Sequence, residues 1–181
     1  MKSRLLLILV LLSACGYDYT PKPRAFLSIN LPLKEYKKTN VDCDFIFEIP
    51  LYSILERTEK VCFYNLIFPD QNSILHITYF PLKNNLLEHS EESRRLAYQH
   101  NMVADAISEQ VYINEEEKVY GILYDYDGAT ATSVQFCLTD STTHFFRGAL
   151  YFNTEVSDSL TPVNNFLKED VRHMIQTFRW Q

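Results

Sequence analysis

VYGILYDYDGATATSVQFCLTDSTTHFFRGALYFN, residues 119–153, decides the fold. Three β-rich runs, 119–126, 132–138 and 144–153, are separated by turn signals at Asp127-Gly128 and Asp140-Ser141. Turns this short join antiparallel neighbours, because a parallel pair needs a crossover of a dozen or more residues. The stretch therefore predicts a meander. Downstream, Thr161 as N-cap and Pro162 at the first helical position open a helix. Its core stripe is Val163, Phe166, Leu167, Val171, Met174, Ile175 and Phe178, which recur at helical spacing.

Upstream, residues 109–113 predict another strand. Residues 86–107 hold no Gly or Pro and predict a long helix, with Asn85 and Glu88 in capping-box order. Glu91 and Glu92 precede Arg94 and Arg95 by one turn, as on a solvated face. Residues 26–33 predict a short strand, followed by a basic turn at Lys34, Lys37 and Lys38. Residues 44–49, 61–68 and 74–80 predict three more strands, the last stopped by Pro81. The first two of these are expected to pair as a long-looped hairpin, which would bring Cys43 and Cys62 face to face. A disulfide there would close a loop of about 20 residues, worth roughly 3 kcal/mol. Two independent buried thiols are the alternative. Strands, helix, strands, helix is the order of an α+β fold, an antiparallel β-sheet covered by helices. That order resembles a PsbP/Mog1-like layer sandwich.

The 181 residues suffice for one domain with a real core. At 46% hydrophobic and 14% aromatic, the chain is neither disordered nor fibrous. Its four glycines, Gly16, Gly121, Gly128 and Gly148, are too scattered for either phosphate-cradling motif. A formal charge of −6 argues against nucleic acid as a partner.

The beginning of the chain reads as an export leader. Lys2 and Arg4 precede an apolar run, residues 5–12, and then Ser13, Ala14 and Cys15. Eight apolar residues cover about 12 Å as a helix, far short of a hydrocarbon core of about 30 Å. Leu12-Ser13-Ala14-Cys15 resembles the bacterial lipobox, whose cysteine thiol is acylated and becomes the mature N-terminus. The expected organisation is residues 1–14 as signal peptide, 15–25 as a lipidated tether, and 26–181 as a single globular domain. Pro21 and Pro23 favour an extended tether, on which Tyr17 and Tyr19 lie outside any core.

Catalytic and metal signals are weak. The five histidines, His76, His89, His100, His144 and His173, carry no ligand spacing to any cysteine, and no C-x-x-C pair is present. Asp140, Ser141 and His144 hold the residue types of a serine triad but are compressed into one hairpin. Asp125, Asp127 and Gly128 start like a calcium loop, yet Ala129 and Phe136 stand where further ligands belong. The expectation is no enzyme activity, no metal and no cofactor. Arg94 and Arg147 are the interface candidates, each read either as a contact anchor or as the partner of a buried carboxylate.

Whole blocks carry a resemblance. Pro21-Lys22-Pro23-Arg24, Phe47-Glu48-Ile49-Pro50, Leu96-Ala97-Tyr98 with His100, residues 119–125, Leu138-Thr139-Asp140-Ser141, Arg147-Gly148 and Thr177-Phe178 with Trp180 resemble the gliding-motility lipoprotein GldD family of Bacteroidetes. The resemblance implies a membrane-anchored, non-enzymatic accessory of the gliding motility and type IX secretion apparatus, acting through contacts with its envelope proteins. It carries over Cys15 as lipidation site and Cys43 with Cys62 as a paired framework. Cys137 is a departure and is left as a free thiol. Surface-exported lipoproteins of that phylum carry an acidic run after the cysteine. Here only Asp18 is acidic, so the expected location is periplasm-facing, with the outer membrane slightly favoured. A small-molecule or lipid-binding envelope lipoprotein is the alternative function.

Overall fold

A computed structural model describes residues 29–99, 104–128, 130–153 and 160–181. In chain order these form β1 (Tyr36–Lys38), β2 (Phe45–Ile46), β3 (Glu48–Pro50), β4 (Ile54–Arg57), β5 (Tyr64–Phe68), β6 (Ser73–Pro81) and helix α1 (Leu86–Tyr98). They continue with β7 (Ala106–Asn114), β8 (Val119–Asp127), β9 (Thr132–Thr139), β10 (His144–Phe152), helix α2 (Thr161–Thr177) and β11 (Arg179–Trp180). The fold is α+β. One seven-stranded antiparallel sheet has the order β4-β5-β6-β10-β9-β8-β7, and two small ladders pair β1 with β3 and β11 with β2. The meander over residues 119–153 is present as expected, and β10 joins it to the first half by pairing with β6 from Phe152↔Ser73 to His144↔Pro81.

The period of two divides the sheet into faces. Leu75, Ile77, Leu123, Phe136, Leu138, Phe146 and Leu150 point to one side and are buried against Val163, Leu167, Val171, Met174, Ile175 and Phe178. Phe45 and Phe47 fill the same layer, stacked on Phe178 at 6.1 Å. Gly148 is small of necessity, because a Cβ there would run into the Phe136 ring. The opposite face carries Tyr124, Tyr126, Arg147 and Cys137 and is partly covered by α1, whose Ala97 is fully buried and accepts the Tyr126 hydroxyl at its carbonyl, 2.9 Å away. His89 of α1 lies over Phe80 and Phe145, with ring centres 4.9 and 5.3 Å away.

Several boundaries differ from expectation. The long helix stops at Tyr98, and 106–107, expected to be its last turn, open the nine-residue strand β7. There Ile107 faces Tyr126 across the ladder, a contact a helical pattern does not reveal. The strand expected at 26–33 falls partly outside the described residues, and 29–35 are not a strand; the ladder forms instead at Tyr36–Lys38. The expected hairpin between 44–49 and 61–68 is absent. Residues 45–50 split into β2 and β3, which pair with β11 and β1, and β5 pairs with the polar edge strand β4 and with β6. Edge strands are often polar, which is why a search for apolar runs passes over Ile54–Arg57. The capping box does not form. Asn85 Oδ1 accepts the Lys83 N–H at 2.7 Å, and its amide faces His89. Helix α2 begins one residue early, with Leu160 at its N-cap.

Candidate functional site

The most elaborate polar cluster is built on α2. Asp170 falls among the apolar residues of the helix stripe and its side chain is only 2% exposed. It accepts the Lys34 ammonium at 2.8 Å, the Tyr36 hydroxyl at 2.8 Å and the Tyr52 hydroxyl. Lys34 also donates to the Phe166 carbonyl at 2.8 Å and lies 4.1 Å over the Phe166 ring. Burial, then the Asp170 carboxylate, push both tyrosines above their ordinary 10.0, so each stays a neutral donor. The Tyr36 ring stacks on His173 at 3.7 Å, and His173 Nε2 meets Glu48 at 2.8 Å. Together these contacts fasten the first described residues onto α2. In the sequence Lys34 reads only as part of a basic turn, and no local pattern singles out Tyr36, Tyr52 or Asp170 as its partners. The available signal was a carboxylate at the position between Leu167 and Val171, which a helix with a buried stripe tolerates only when the charge is paired.

A second cluster ties α2 to the sheet. Asp125 pairs with Lys168, which is 5% exposed, and with Arg172 at 2.6 Å. Its carboxylate, read as the start of a calcium loop, is thus occupied by cations of the chain itself.

The Asp140 hairpin is turn chemistry. Its Oδ1 accepts the N–H groups of Thr142, Thr143 and His144 at 3.0, 2.8 and 2.8 Å, and its other oxygen takes the Thr142 and Thr143 hydroxyls. Burial raises this carboxyl, but the hydrogen bonds outweigh it and hold the group well below the usual carboxylate range. His144 Nδ1 lies 2.7 Å from the Tyr79 hydroxyl, which also reaches Asp44 at 2.9 Å. Ser141 has its N–H bonded to Thr139, while the hydrogen bonds of His144 go to Tyr79, Thr139 and Asp140, so nucleophile, base and orienter are not assembled. Among the described residues, no group of three or more His, Cys, Asp or Glu is placed to hold a metal ion.

Cys15 and His100 lie outside the described residues. Cys43 and Cys62 are disulfide-bonded, with Cα atoms 5.9 Å apart, joining the segment before β2 to the turn before β5. Cys137 is free, and burial pushes its thiol up. Arg94 is exposed, 5.6 Å from the Tyr98 ring, whose hydroxyl bonds Glu109. Arg147 is half-buried on the α1 face. Its Nη2 donates to Gln135 at 2.6 Å and its Nε is buried without a partner. Among the described residues it has no carboxylate within ion-pair distance. No described helix is long and apolar enough to cross a membrane.

Comparison with known proteins gives one family. The family described as gliding motility lipoprotein GldD matches residues 16–180, nearly the whole chain. No curated protein matches it.

Proposed function

The chain belongs to the gliding motility lipoprotein GldD family, and from that premise we propose that it is a periplasm-facing accessory of the gliding and type IX secretion apparatus. Acyl chains on Cys15 hold it on the membrane, the outer one being favoured. It works by stoichiometric contact with envelope proteins and not by turnover.

The observation that supports this most is the Asp170 cluster. A carboxylate that acts on a substrate has to be free to reach it, whereas this one is committed to three donors of its own chain. What those donors secure is the segment that leads back toward Cys15. The cluster therefore fixes the point at which an acylated tether leaves the folded part, as a protein held against a machine requires. The apolar cavity beside α2, of about 130 Å³, is smaller than the roughly 300–1,000 Å³ of small-molecule sites, and the larger hollow of about 680 Å³ along α1 is an open one lined mainly by polar and charged residues such as Asn84, Glu88, Glu91 and Arg95, so the ligand-binding reading is the weaker one.

The test is complementation of a deletion strain. The full chain should restore gliding and type IX secretion, while Cys15→Ser should fail to incorporate labelled palmitate and restore neither. Normal gliding by the deletion strain, or rapid consumption of a substrate by the purified protein, would refute the proposal.

A further inference from the structure

Strand β7 ends the sheet. It pairs with β8 over nine consecutive residues, Ala106↔Asp127 to Asn114↔Val119, without a bulge, and no described strand lies on its other side. Every second residue of such a strand turns its N–H and C=O away from the ladder. Long regular edges are usually protected by Lys, Pro, a bulge or shortness. β7 has no Lys, Pro or bulge and is nine residues long, and its one charge, Glu109, takes the Tyr98 hydroxyl. It instead leaves Val111 and Ile113 exposed at 73% and 63%. On the α2 side of the same edge opens the 130 Å³ cavity, between Gln110 and Tyr112 of β7 and Ile175 and Gln176 of α2.

The charge carried by the segment that holds this strand has one sign, and the cations near it, Arg172 at the cavity wall and Arg179, are paired with Asp125 and Glu117. Between residues 104 and 117 stand Asp105, Glu109, Glu115, Glu116 and Glu117, with no Lys or Arg. Glu117 is paired with Arg179 and Glu109 takes the Tyr98 hydroxyl, which leaves Asp105 at one end of the strand and Glu115 and Glu116 at the other. A second copy pairing antiparallel through its own β7 would set Glu115 beside Asp105 of the other copy, like charge against like.

We infer that β7 is a docking edge for an extended segment of another envelope protein, with apolar residues at alternate positions and Lys or Arg at both flanks. The segment adds an eighth strand. Main-chain hydrogen bonds hold it, one apolar side chain enters the cavity beside α2, and its basic flanks meet the acidic ends of β7. This rests on the contact role proposed above and names where the contact is made and by what chemistry.

The experiment uses the full acylated chain in lipid nanodiscs. The probe is a synthetic nine-residue peptide of alternating valine and threonine with lysines at both ends, beside a twin carrying glutamates there. Amide exchange read by mass spectrometry should slow at least tenfold across 106–114 with the lysine-flanked peptide, and the twin should bind at least tenfold more weakly. Val111→Lys with Ile113→Lys changes two exposed side chains, so melting should stay unchanged while the protection disappears. Equal binding of both peptides, no binding, or protection at β4 or α1 would overturn the inference. So would slow exchange of the outward-facing amides of β7 in the free chain: if concentration-dependent, a second copy covers the edge; if not, another part of the same chain does. In cells, the double variant should abolish gliding at normal abundance. Gliding by that variant, beside a deletion strain that does not glide, overturns the edge alone. A deletion strain that glides overturns the contact role itself.

Discussion

Replacing Asp170 by alanine leaves an ammonium and two tyrosine hydroxyls facing the space of the lost carboxylate. Removing one partner of a buried ion pair costs about 3–5 kcal/mol. Lys34 is 26% exposed and keeps Glu169 at 3.3 Å as well as the Phe166 carbonyl, which places the loss at the lower end. About 3 kcal/mol corresponds to a fall in Tm of about 6–12 °C for a chain of this size. Lys34→Met in the same background should recover part of it, since the unpaired cation goes with the change. Urea unfolding of the two single variants and the double variant measures the coupling directly. The same cluster sets an alkaline limit. Tyr36 and Tyr52 have folded values raised above 10.0, so their contribution is complete below pH about 10 and is lost as pH rises from there through the folded values. Wild-type stability should therefore fall above pH 10 more steeply than that of a Tyr36→Phe, Tyr52→Phe variant. A loss below about 1 kcal/mol for Asp170→Ala, with equal alkaline slopes, would refute the claim that this carboxylate fastens the tether's exit.

Under denaturing, non-reducing conditions one of Cys43, Cys62 and Cys137 should be alkylatable, and reduction should expose all three; three reactive thiols before reduction would contradict the Cys43–Cys62 bond. Gly148→Ala forces a methyl into the Phe136 ring and should cost about 1–3 kcal/mol, partly returned by Phe136→Leu in a thermal melt. Arg147→Met should cost about 1–3 kcal/mol, because it orphans the Gln135 carbonyl, and Gln135→Leu added to it should restore most of that. A larger loss without restoration would mean that Arg147 serves a carboxylate.

What the sequence made legible follows the range of the contacts. Turn chemistry and alternation act over a few residues, and the meander from β8 to β10 came out with boundaries within a residue or two of those observed. The helical stripe of α2 did too. What depended on distant neighbours was hidden. Nothing local ends α1 at Tyr98, since no Gly or Pro follows; the strand that begins at Ala106 is decided by β8, more than a dozen residues further along. Phe45, Phe47 and Ile49 read as one strand, yet Phe45 pairs with the last strand of the chain, β11, and Ile49 with the first, β1. The hairpin expected from their apolar density did not account for β4, whose exposed Glu56 and Arg57 belong to a sheet edge.

The polar clusters were hidden for a related reason. A 3.6-residue period counts apolar positions, so it registers Leu167, Val171 and Met174 and passes over Lys168, Asp170 and Arg172 among them. Those charges carry the helix's long-range contacts. Asp170 reaches back 136 residues to Lys34, and Lys168 and Arg172 reach Asp125 of β8, the neighbour of the exposed edge. A charge inside an apolar layer is tolerated only with its partner in place, so each pair specifies which element α2 must pack against and in what register. The same helix thus holds the segment of Lys34 and Tyr36 on one side and the β7–β8 end of the sheet on the other. A charged residue embedded in a helix's apolar stripe is for that reason the more useful sequence signal: it marks a tertiary partner that the stripe alone does not name.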